Sequence, residues 1–126
     1  MTTILLVEDD PLEAHTIMPL LEREFDEVRR ATDAAEALYD IEHSDFASRL
    51  GLVVSGQHLK GIRKTEFVAE LHERMPELPV LVLGTQDESA GDYVGDNVAF
   101  LPRALAARQI VEFANKLLAR HRNTVA

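Results

Sequence analysis

Three carboxylates stand in a row at Glu8, Asp9 and Asp10, directly after the apolar run "ILLV". The chemistry such groups can do depends on a cation, and Arg103, just after the run "VAFL", is a candidate. Its planar guanidinium offers a fixed fork that suits a carboxylate or a small anion. Two other apolar runs end at Ser55–Gly56 and at Gly84–Thr85. Ser55 lacks the Gly-x that precedes the serine of a nucleophile elbow, and no triad order accompanies it. No nucleophile–base pair is legible anywhere in the chain. The phosphate-binding motifs G-x-G-x-x-G and the Walker loop are absent, which disfavours dinucleotide or nucleoside triphosphate binding. His15, His43, His58, His72 and His121 show no ligand spacing and read as solvated surface, although His58 follows the third apolar run. The acidic stretch 87–96 lacks the spacing of a calcium loop.

The elements that must position these residues alternate along the chain. Residues 4–7 form a continuous apolar run, as in a strand buried on both faces. Asp10 then reads as an N-cap, Pro11 as the first helical position and Glu13 as the capping-box acid. Ala14, Ile17, Met18, Leu21 and Phe25 mark one face of that helix. "DEVRRAT" (26–32) fits a short polar strand at a sheet edge. Thr32 or Asp33, with Glu36, opens a second helix with the stripe Ala34, Ala37, Leu38 and Ile41. Leu52, Val53 and Val54 form the third strand. A third helix carries Phe67, Val68 and Leu71 and stops near Met75–Pro76, as a proline requires. "PVLVLG" (79–84) is the fourth strand and "VAFL" (98–101) the fifth. Between them, 85–97 holds two glycines and no sustained stripe, so any helix near Asp87 to Tyr93 is expected to be short or frayed. A last helix is expected from about Ala104 to His121, with Ile110, Val111, Ala114, Leu117 and Leu118 inward. Interleaved strands and helices imply an α/β fold with a parallel sheet covered on both faces. Function in such folds gathers outside the carboxyl ends of the strands.

Composition narrows the classes. At 126 residues the expectation is one domain spanning residues 1–126, with a core of its own. The net charge of −9 argues against a phosphate-backbone partner, and so against nucleic acid binding. With no cysteine there is no disulfide framework, thiolate nucleophile or thiolate metal site. No apolar stretch approaches the roughly 20 residues of a membrane span, and the apolar run after "MTT" is too short for a signal peptide. A cytoplasmic location without membrane attachment is the expectation. "MTTILL" reads as a natural start and "RHRNTVA" as a frayed helix terminus, while the C-terminal boundary is uninformative.

Four motifs in this order resemble the receiver domains of two-component response regulators. "ILLVEDDPL" is similar to that family's first strand with its acidic pair, here Glu8 and Asp9. "LVVSGQHLKGI" aligns with the third strand and the loop that carries the phospho-accepting aspartate. "PVLVLGT" resembles the fourth strand with its terminal Thr or Ser, and "FLPRAL" the fifth-strand motif of aromatic, aliphatic, any residue, Lys, Pro. The resemblance covers essentially the whole chain. It implies a flavodoxin-like (βα)5 doubly wound parallel five-stranded sheet, strand order 2-1-3-4-5; in this chain the stretch 85–97 is short for the family, so the fourth helix is expected to be short or irregular.

Carried over residue by residue, the resemblance departs where the chemistry should be. Gly56 stands at the phospho-acceptor position and Gly84 at the Thr/Ser position, with Thr85 one step further. Arg103 stands at the lysine position and Ala104 at the proline that follows. Phe100 keeps the switch-aromatic position, and Glu8 and Asp9 keep a vestigial acidic pocket. Receiver phosphorylation needs a carboxylate nucleophile, a Mg²⁺ held by carboxylates and a balancing cation. Gly56 offers neither nucleophile nor ligand. Ser55 points to the other side of the strand from residue 56, and a seryl phosphate lacks the lability of an acyl phosphate. No catalytic residue and no metal ligand is therefore assigned, and Mg²⁺ binding is expected to be weak or absent. Because Gly84, Arg103 and Ala104 depart together, a naturally degenerate site is expected rather than one knocked-out position. Gly56 also has a plainer reading, as a strand-end residue with an unusual backbone angle. Arg103 is expected to pair with Glu8 and Asp9 where the metal would sit; equally, the two acids can serve the helix N-terminus beside Asp10.

Two functions follow. One is a phosphorylation-independent pseudo-receiver, a non-enzymatic module for protein–protein contact in two-component-type signalling. Its partner would dock on the fourth-helix, fifth-strand and fifth-helix face, with Phe100 fixed in one state. The other is a small flavodoxin-like ligand-binding protein or enzyme with an anion pocket at Glu8, Asp9 and Arg103.

Overall fold

A computed structural model describes residues 2–43, 45–57, 59–85, 88–93, 95, 97–102 and 108–125. The apolar runs become strands: β1 (Thr3–Val7), β2 (Glu27–Ala31), β3 (Leu50–Ser55), β4 (Val80–Leu83) and β5 (Val98–Leu101). They form one parallel sheet in the order β2-β1-β3-β4-β5, the order that the receiver resemblance implies. Side chains alternate across it, and both faces are covered. Leu5, Val7, Val53, Val80 and Val82 pack with Ala34, Ala37 and Ile41 of α2 (Ala34–His43) and Phe67, Val68 and Leu71 of α3 (Lys64–Arg74). Ile4, Leu6, Leu52, Val54 and Leu81 pack on the opposite face, with Ala14, Ile17 and Leu21 of α1 (Pro11–Glu24) and Ile110, Ala114 and Leu117 of α4 (Arg108–Val125).

β2 is the polar edge strand that its composition suggested. Its Glu27 accepts a hydrogen bond from Thr3 Oγ1 at 2.8 Å and pairs with Arg29 and Arg49. Arg49 belongs to a 3₁₀ turn (Asp45–Arg49) that precedes β3 and buries Phe46, over whose ring Arg29 stacks.

Caps explain where the helices begin. Asp10 accepts the Leu12 N–H at 2.9 Å and Pro11 takes the first helical position. The expected capping box with Glu13 is corrected: the Asp10 N–H donates to Glu8 Oε2 at 3.1 Å, so the acid before the cap satisfies it. Asp33, rather than Thr32, caps α2, accepting the Glu36 N–H at 2.8 Å. The Thr32 hydroxyl instead donates to Glu36 Oε2 at 2.7 Å.

Between β4 and β5, the described residues hold a single 3₁₀ turn (Ala90–Asp92) where the fold would place a fourth helix. The expected start of the last helix near Ala104 lies outside the described residues. Among those described, no helix is long and apolar enough to cross a membrane.

Candidate functional site

The strand order places the topological switch between β1 and β3, and the carboxyl ends of these strands bring Glu8 beside Gly56. Val7 pairs with Ser55, and the Gly56 N–H donates to the Val7 carbonyl at 2.8 Å. Glu8 is fully buried. A buried carboxylate is tolerated only when donors replace its water. Here Oε1 accepts the Gln57 N–H at 3.0 Å and Oε2 the Asp10 N–H at 3.1 Å. The Glu8 carbonyl is held in turn by Arg30, through Nε at 3.2 Å and Nη2 at 2.8 Å.

This position of Glu8 explains the glycine. A Cβ at residue 56 would overlap Glu8 Oε1 and lie 2.7 Å from its Cδ and 2.9 Å from its Cβ. The Gly56 backbone, by contrast, does not use a left-handed angle; among the described residues only Gly61 and Gly95 do. The backbone-angle reading of Gly56 is thus corrected. Glycine is required there because a neighbour's side chain takes the space.

Asp9 Oδ2 is sealed from solvent and has no hydrogen-bond partner among the described residues. Asp9 lines a cleft of about 470 Å³ together with Asp10, Pro11, Leu59 and Lys60. Ser55 is fully buried and its Oγ has no such partner either, so its hydroxyl does not face solvent.

The same substitution of volume recurs one strand further. Gly84 follows β4 and donates its N–H to the Leu101 carbonyl at 2.9 Å. A Cβ here would overlap Cζ and Cε2 of Phe100, with Cε1 at 3.0 Å. Phe100 therefore lies over Gly84, and Tyr93 stacks on it with ring centroids 5.5 Å apart.

No protein-family model matches the chain, and no curated protein does. Solved structures match along nearly its whole length. A receiver domain from Clostridium thermocellum superposes with a TM-score of 0.86 at 17% identity, over 98% of this chain and 99% of that one. A CheY-like receiver from Methanospirillum hungatei JF-1 gives 0.82 at 22%, over 98% of each. The receiver domain of the hybrid histidine kinase CckA gives 0.73 at 25%, over 92% of this chain and 98% of that one. This chain has the receiver-domain fold.

In this receiver-fold chain a second cluster, which sequence reasoning missed, lies beside Gly84. Lys64 starts α3 with its side chain only 9% exposed, and its Nζ donates to the Leu83 carbonyl at 2.9 Å and to Glu88 Oε1. Glu88 Oε1 also accepts the Thr85 N–H at 2.8 Å and the Thr85 hydroxyl at 3.1 Å. The Tyr93 hydroxyl donates to Glu88 Oε2. Burial would raise the Glu88 carboxyl, yet the bonds from Lys64, Tyr93 and Thr85 together hold it below the usual carboxylate range. Burial first, then the bond to Glu88, pushes the Tyr93 phenol up. The signal that could have found this cluster is Thr85-Gln-Asp-Glu88, whose spacing is that of a capping box. Thr85 and Glu88 make its side-chain contact, and the described residues that follow hold a 3₁₀ turn.

Of the predicted residues, Glu8, Asp9 and Gly56 converge at the end of β1 and β3, and Gly84 meets Phe100. Arg103 and His58 lie outside the described residues, and with them the expected pairing of Arg103 with the two acids. Among the described residues, no three His, Cys, Asp or Glu side chains group so as to hold a metal ion.

Proposed function

We propose that the chain is a phosphorylation-independent pseudo-receiver, a binding module whose output is a contact with another protein in a two-component-type pathway. The observation that carries this reading is the carboxylate of Glu8, which lies in the volume where a phospho-accepting side chain at residue 56 would stand. An acceptor is missing there, and the space for one is filled. Magnesium fits the same residues poorly. Glu8 already accepts two backbone N–H groups, which leaves Asp9 as the acid with an oxygen uncommitted among the described residues. Gly84 in place of a hydroxyl residue and Phe100 seated over it argue for one fixed aromatic position in place of a switched one. The docking surface on this reading is the β5 face, where the described residues hold a single 3₁₀ turn in place of a fourth helix.

An amide-shift NMR titration with Mg²⁺, then with Mg²⁺ plus beryllofluoride, tests the reading. Amides at Glu8, Asp9, Gly56 and Phe100 stay in place at millimolar concentrations if the reading is right. Saturable movement of these amides overturns it.

A second reading, a small ligand-binder, draws on the cleft beside Asp9, whose Oδ2 has no hydrogen-bond partner among the described residues. It requires that a small phosphate or a cationic ligand raise the melting temperature, since a ligand that binds the native state must stabilise it.

A further inference from the structure

We propose that Lys64 and Glu88 form a latch that holds Tyr93 and Phe100 down over Gly84, and thereby sets the shape of the β5 face. The placement of Lys64 is the first reason. A cation at the first turn of a helix opposes the helix dipole, and the N-cap Arg63 makes no side-chain cap bond. Lys64 therefore does nothing for the start of α3. Its ammonium instead crosses to β4 and binds the Leu83 carbonyl, the last of that strand, together with Glu88.

The second reason is how much converges on one carboxylate. Lys64 Nζ and two donors of Thr85 meet Glu88 Oε1, while the Tyr93 hydroxyl takes Oε2. Glu88 thus ties α3, the end of β4 and the aromatic pair into one unit. Tyr93 passes this position on to Phe100 by stacking, and Gly84 supplies the space below the ring. Partly buried, charge-assisted hydrogen bonds of this kind are about twice as strong as neutral ones. Breaking the pair leaves a charge without its partner in a poorly hydrated place. Loss of either group lifts the aromatic pair. The latch stands on this geometry alone; its effect on partner docking rests on the reading above.

The test uses Tyr93 as reporter. The chain has two tyrosines and no tryptophan, so a Tyr39→Phe background leaves one phenol. Besides Glu88, the acid that faces this phenol is Asp92, which stays unchanged throughout. In the parent, burial and then the bond to Glu88 hold the Tyr93 phenol above its ordinary value. In Lys64→Met the latch opens, and phenolate absorbance in the folded protein moves down by about one pH unit or more toward the ordinary tyrosine value of about 10. The Phe100 ring resonances shift with it. Lys64→Arg keeps the charge and the parent behaviour. A closed latch without Lys64 would leave the Glu88 anion uncompensated beside the phenol and shift Tyr93 the other way. Folded Lys64→Met that forms phenolate no earlier than the parent, with Phe100 unmoved, therefore overturns the proposal. Glu88→Gln must agree with Lys64→Met where it folds; where it does not, the Met and Arg variants of Lys64 decide. Beryllofluoride-induced shifts would overturn the inert-pocket reading and leave the latch standing, so the two failures are distinguishable.

Discussion

Glu8 and Gly56 share one volume: the carboxylate of the first fills the space in which a side chain on the second would stand. Gly56→Ala is therefore an overpacking change, although it adds a single methyl group. The atoms that it meets include Glu8 Cβ, which moves only with the backbone of a fully buried residue. The expected cost is about 1–3 kcal/mol, read by urea unfolding. In a Glu8→Ala background the same substitution costs less, so the double-mutant cycle shows coupling. Additive costs would mean that the two residues do not compete.

Gly84 and Phe100 predict a second cycle. Gly84→Ala displaces the ring from its place against Tyr93 and lowers stability by about 1–3 kcal/mol. Phe100→Leu removes the ring atoms that the new methyl meets, and the pair together costs less than the sum. Residues in direct contact couple by about 0.5–3 kcal/mol, a range that denaturant unfolding resolves.

Acid titration reports on Glu88. Its folded carboxyl sits below the ordinary range, so near pH 4 the unfolded chain binds more protons than the native one. The stabilisation is complete above the ordinary glutamate value of about 4.3 and fades as pH falls through the lower, folded value. Glu88→Gln should flatten stability against pH below about 5 while leaving its slope near neutrality unchanged. Glu27 is held low mainly by the Thr3 hydroxyl, against burial and with help from Arg49 and Arg29. Glu27→Gln removes a separate, exposed contribution in the same window. An unchanged acid limb in both variants would contradict the assignment.

Gly61 predicts a cost of a different origin. It has φ of +83° with open space where a Cβ would point, so Gly61→Ala meets no neighbour. The penalty is conformational, about 1–2 kcal/mol, and Gly61→Asn should recover part of it. Thermal unfolding of the three alanine variants then separates the two causes. Alanine at residue 56 or 84 is rescued by trimming a neighbour, and at residue 61 it is not.

The strands were legible because a chain buried on both faces writes them as unbroken apolar runs, as at residues 4–7 and 80–83. The cap at Asp10 and Pro11 was equally plain. The residues gathered at the strand ends, Glu8, Gly56, Gly84 and Phe100, could be nominated from position and resemblance. How they fit one another could not. A glycine in a sequence reports a missing side chain, but not which neighbour uses the room. The Glu8 side chain reaches Gln57, 49 positions away, and Phe100 reaches Gly84 from another strand. Lys64 was invisible for the same reason: its partner is 24 residues on, in a stretch with no periodicity.

The two filled vacancies also bear on which sequences lie within one step of this one. An aspartate installed at residue 56 collides with Glu8, and a serine installed at residue 84 collides with Phe100. Each first step toward a phosphate-accepting pocket descends in stability before any partner residue can follow, whichever is taken first. The present sequence sits on a small summit of its own, and a path off it begins with Glu8 or Phe100, not with either glycine.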